Sequence, residues 1–84
     1  MTRADKRIDA FLRCKGSYPW RDFVALLKSI GYELVKAGHT GGSRRKFIQP
    51  KTGHMIWADE PHDGQMKKGM VKRLRENLQD GGVL

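Results

Sequence analysis

The sequence predicts an α+β fold in which helices cover one face of a three-stranded antiparallel sheet. Three observations carry this. Apolar residues recur at helical spacing near both ends of the chain, strand formers roughly alternate after Gly31, and Pro50-Lys51-Thr52-Gly53 punctuates two of those strands as a short turn. Covering one sheet face with helices is the direct way to bury every apolar stripe. With 84 residues there is room for one core, because a chain this small buries only about 60% of its unfolded surface.

The first helix is expected over about Arg3 to Lys15. Thr2 can cap it with Asp5 behind, Ile8, Phe11 and Leu12 form its stripe, and Gly16 stops it. Ser17-Tyr18-Pro19 breaks the chain and starts a second helix, whose Trp20, Phe23, Val24, Leu27 and Ile30 share a side until Gly31. A first strand over Tyr32 to Lys36 follows, then a glycine-rich loop from Ala37 to Gly42. The second strand, about Ser43 to Gln49, and the third, about His54 to Ala58, should be antiparallel neighbours across the proline-glycine turn. Asp59 to Gln65 is a polar connection. The last helix repeats Met66, Met70, Leu74 and Leu78 beside Val71, and Gly81-Gly82 should fray. The expected core is Trp20, Phe23, Leu27, Ile30, Leu34, Phe47, Ile56, Met70 and Leu74, with the opposite sheet face left open.

Seventeen Lys and Arg oppose nine Asp and Glu, a formal charge of +8 that attracts polyanions. Nucleic acid, an acidic protein and an anionic membrane are all compatible with it. The longest apolar runs, such as Phe23 to Leu27, fall far short of the roughly 20 residues that cross a bilayer, and Met1 to Lys6 precedes no signal-type stretch, so a cytoplasmic protein without a membrane partner is expected. A lone Cys14 excludes an intrachain disulfide and a cysteine-based zinc cluster, and reads as a packing residue.

The densest chemical signal is Gly41-Gly42-Ser43-Arg44-Arg45-Lys46, a loop that delivers three consecutive cations to a strand. Alternation puts Arg44 and Lys46 on one face and Arg45 with core-bound Phe47 on the other, so Arg44 and Lys46 should face solvent. Lys67, Lys68, Lys72, Arg73 and Arg75 form a second cluster on the last helix. A surface that merely keeps the protein soluble is the competing reading of each cluster. Cleaving RNA without a metal requires a proton acceptor for the 2′-hydroxyl, a proton donor for the leaving oxygen, and cations for the phosphorane; histidine suits the proton work. Of the three histidines, His39 lies in the loop ahead of Ser43, His54 opens the third strand, and His62 follows Pro61. Each reads equally as an ordinary surface or packing residue. No two sit at a recognised ligand spacing, and no phosphate loop or nucleophile elbow is present, so no metal or other cofactor is expected. Trp57, next to Ile56, should point to the open face, as a surface aromatic or as a base-stacking ring.

Four segments resemble the HicA family of bacterial toxins in order and spacing: Trp20 to Gly31, Gly42-Ser43-Arg44-Arg45-Lys46-Phe47, Glu60-Pro61-His62, and Met66 to Leu74. The resemblance spans about Trp20 to Leu78. It implies a fold similar to a double-stranded-RNA-binding domain, helix, three strands, helix, here with an extra N-terminal helix, and one HicA-like domain over 1–84 with an extension at 1–17 and a core at 18–80. It also implies a toxin that cleaves messenger RNA and a HicB-like antitoxin that blocks it. Typical members carry Gly-Ser-His at the start of the second strand, with that histidine catalytic. Here Gly42-Ser43 is followed by Arg44, as in a similar branch with a longer N-terminal helix and Gly-Ser-Arg. Arginine stays protonated and cannot act as the base. His62, which matches the family's Pro-His element, is the replacement that the resemblance offers; His39 is a candidate by position alone. Ser43, Arg44, Arg45, Lys46, Lys67, Lys68 and Lys72 are the expected RNA-binding residues. A non-catalytic RNA-binding module, an inactive relative, and a protein-interaction domain with a basic face remain alternatives.

Overall fold

The computed structural model describes residues 3–35 and 44–82. The elements run α1 (Arg3–Arg13), β1 (Tyr18–Pro19), α2 (Trp20–Ser29), β2 (Glu33–Val35), β3 (Arg44–Ile48), β4 (Met55–Asp59), β5 (Gln65–Met66) and α3 (Lys68–Asp80). Strands β2, β3 and β4 form a three-stranded antiparallel sheet in that order. The α+β class and the order helix, three strands, helix behind an N-terminal helix agree with expectation. The Thr2 cap, Lys36 and the glycine-rich loop lie outside the described residues.

Register sorts the sheet's side chains. Leu34, Phe47 and Ile56 are partners in one row and Arg45 and Ala58 in another, and Phe47, Ile56 and Ala58 are buried beneath the helices. Helix α2 lays the rings of Trp20 and Phe23 on Phe47, at centroid distances of 6.0 and 6.2 Å. Phe11 of α1 reaches the same cluster, 5.6 Å from Phe23 and 5.1 Å from Tyr18. Helix α3 adds Val71, Leu74 and Leu78. Burying aromatic rings edge to face contributes both area and favourable quadrupole geometry.

The packing departs from the sequence pattern in several places. Leu34 is 43% exposed, because the helices pack over β3 and β4 rather than over β2. Trp20, Ile30 and Met70 pack against the core but are only partly buried, whereas Leu26, Tyr32 and Met66 are fully inside. Met66 does not begin the last helix: it pairs with Tyr18 in a two-stranded ribbon of β1 and β5, and α3 starts at Lys68. The ribbon leads directly into α2 and α3, and the first α2 N–H, on Trp20, donates to the Gly64 carbonyl at 2.9 Å. Helix α1 stops at Arg13 rather than Lys15, as the Cys14 thiol turns to the Ser17 carbonyl at 3.2 Å.

Gly81 closes α3 instead of fraying, with its N–H bonded to the Asn77 carbonyl at 3.1 Å. A Cβ there would meet the His54 ring at 2.8 Å, so glycine lets the ring lie against the helix end. Gly31 is needed for two reasons: its φ is +93°, and a Cβ would come within 2.6 Å of the Gln49 amide nitrogen, which bonds to the Ile30 carbonyl.

Burial raises the pKa of Tyr18 and Tyr32 above the ordinary 10.0, with Asp22 and Cys14 adding to the effect at Tyr18 and Arg7 opposing it. The unfolded chain therefore gives up these protons first as pH rises. The stability tied to both phenols is intact below about pH 10 and is lost as pH climbs from there through their folded values. Urea unfolding across this range should show a falling midpoint, with a shallower alkaline decline in Tyr32→Phe. An identical decline in that variant would contradict the assignment.

Candidate functional site

The sheet face away from the helices carries Val35, Lys46 and Trp57 in one row, Arg44 and Asp59 in the next, and Glu33, Ile48 and Met55 in the third. Strand alternation thus brings Arg44 and Lys46 to the open face, as the sequence predicts. Both converge on one ring: the Arg44 guanidinium carbon lies 5.4 Å and the Lys46 ammonium 5.3 Å from the Trp57 centroid. At these distances the π cloud attracts each cation. Arg45 faces the other way, at the sheet margin, where its Nε sits 3.5 Å from Glu60 Oε1.

His62 occupies the turn after β4, exposed, in an open cleft of about 590 Å³ that Asp59, Glu60, Asp63, Lys67 and Met70 also line. Asp59 links the two regions, since it is the register partner of Arg44 and also borders the His62 cleft. One end of the β3–β4 pair therefore brings the cation at the motif position to the same edge as His62. The cleft itself is rich in carboxylates, which repel a phosphate. Arg44 and Lys46, on the open face beside it, supply the opposite charge.

His54 is at the other end of β4. Its Nδ1 is 2.6 Å from the Tyr32 hydroxyl and its ring packs near Gly81, which makes it a structural residue. His39 and Ser43 lie outside the described residues.

Lys67, just before α3, and the lysines of α3 divide between two places. Lys67 lines the His62 cleft, whereas Lys68 and Lys72 border a groove of about 330 Å³ with Lys15, Gly16 and Arg75. Arg75 ties this groove together by donating from Nη2 to the Cys14 carbonyl at 2.8 Å. Among the described residues none of these four cations has a carboxylate within ion-pair distance. Lys15 went unnoticed in the sequence because it joins the α3 lysines only through the docking of the N-terminal segment. Among the described residues, no helix is long and apolar enough to cross a membrane.

No curated protein and no solved structure matches the chain significantly. The family model described as HicA toxin of bacterial toxin-antitoxin matches residues 20–82, three quarters of the chain and all of the sheet with α2 and α3. The chain belongs to the HicA family, the toxins of bacterial toxin–antitoxin systems.

Proposed function

We propose that the chain is an endoribonuclease toxin, an mRNA interferase that cleaves RNA without a metal and is neutralised by a HicB-type antitoxin. Family membership supports the toxin role and a cognate antitoxin. The observation that carries the nuclease reading is the shared edge of Arg44 and His62, joined through Asp59. In the reaction a base removes the 2′-hydroxyl proton, that oxygen attacks the adjacent phosphorus, and the 5′-oxygen leaves with a proton from an acid. A 2′,3′-cyclic phosphate remains. His62 and His39 are the proton-transfer groups, since Arg44 cannot give up its proton. Arg44 and Lys46 hold the phosphate and stabilise the phosphorane, Arg45 adds charge from the sheet margin, and Ser43, which precedes Arg44 in the sequence, is a further candidate contact. Lys68 and Lys72 hold a further stretch of backbone, and Lys67 sits at the cleft.

The unit is one HicA-like domain over residues 1–84, acting on messenger RNA in the cytoplasm. Its N-terminal extension, 1–17, sends Phe11 into the common core. The arginine at position 44 favours a second reading, a non-catalytic RNA-binding module or inactive relative. Cleavage of RNA, with DNA left whole, in excess chelator separates the two.

Arg44→Ala is expected to weaken binding to RNA of every sequence and to lower the slope of log affinity against log salt by about 1. Binding titrations at several salt concentrations measure this. An unchanged slope removes Arg44 from the phosphate contacts.

A further inference from the structure

We infer that Trp57 is a base-stacking platform that makes the open sheet face selective for single-stranded RNA. The inference rests on the RNA-directed reading above and specifies its substrate class. Trp57 is 46% exposed, midway along the edge strand β4, on a face where Met55 and Val35 are also open, at 48% and 37%. Lys46 is its cross-strand partner and Arg44 its diagonal neighbour, and both place their charge at the same ring despite repelling each other.

An occupant that suits this face offers a flat π surface for the indole and anionic groups on either side for the two cations. An unpaired nucleotide offers both. A duplex conceals the faces of its bases and presents backbone and groove shape instead, so a stacking ring gains nothing from it. An acidic protein segment would satisfy the cations too, but a single strand repeats a flat base between two phosphates, which matches one indole with a cation from each of two neighbouring positions. On binding, Arg44 and Lys46 turn from the ring to the phosphates flanking the stacked base, exchanging a cation–π contact for a charge-assisted one.

The probe is a short 2′-O-methyl oligouridine, which cannot be cleaved, compared with a 2′-O-methyl RNA duplex of the same length. Trp20→Phe leaves Trp57 as the sole tryptophan. In this variant the single strand should quench the emission and the duplex should bind more weakly. Trp57→Ala should lose about tenfold to a hundredfold in affinity for the single strand, while Trp57→Phe retains most of it. Preferential duplex binding, or unchanged single-strand affinity in Trp57→Ala, overturns the inference. So does a Trp57→Ala variant that loses its antitoxin but not RNA, since the face is then a protein interface. Cleavage of natural RNA is scored separately: a chain that stacks the single strand on Trp57 yet cleaves nothing defeats the nuclease reading and leaves this one standing.

Discussion

His62→Ala is expected to slow RNA cleavage by about 10²- to 10⁴-fold, the range that a positioned proton-transfer group contributes. Binding should change little, because in the proposed mechanism the phosphate is held by Arg44 and Lys46 and His62 only moves a proton. Single-turnover cleavage measured beside affinity for an uncleavable RNA separates the two effects. The same loss in His39→Ala would assign the second proton to that residue. Full cleavage in both single variants and in the double variant contradicts the proton-transfer assignment. Its exposure makes His62→Ala safe for folding, so a loss of activity reports chemistry.

Phe23→Ala should cost about 3–5 kcal/mol of stability, which is most of what a domain of this size has. Phe23 is fully buried and its ring meets Phe11, Trp20 and Phe47 at centroid distances of 5.6, 5.8 and 6.2 Å. Its removal therefore opens a cavity where α1, α2 and β3 join. Thermal unfolding should shift down by about 4–8 °C per kcal/mol. A loss below about 1 kcal/mol would mean that the three elements do not share one core through this ring.

Phe23 and Trp57 show what a sequence can reveal. Phe23 is legible because helical spacing repeats it with Leu27, and Trp57 because it alternates with the core residues Ile56 and Ala58 along β4. Period alone assigns the face of each. Leu34 obeys the same alternation and shares a row with Phe47 and Ile56, yet it is exposed. Alternation identifies a face but not whether a helix covers that part of it. The β1–β5 ribbon was hidden for a different reason: two-residue strands have no period, and Tyr18 and Met66 are brought together only by the completed fold.

At the site, the divergence of Arg44 and Lys46 from Arg45 follows from strand geometry and was predictable. The edge shared by Arg44 and His62 was not, because it depends on the register that sets Arg44 opposite Asp59. The reading of His54 as a packing residue gains its reason from Tyr32 and Gly81, which lie far from it in sequence.

The reaction proposed for this toxin is cleavage of RNA through the 2′-hydroxyl without a metal. The most direct test incubates the purified chain with labelled RNA and the corresponding DNA in excess EDTA and resolves the products on a gel. RNA fragments ending in a 2′,3′-cyclic phosphate, with DNA intact, are the predicted result. Salt-sensitive RNA binding with no cleavage would contradict it and make the chain a binding module.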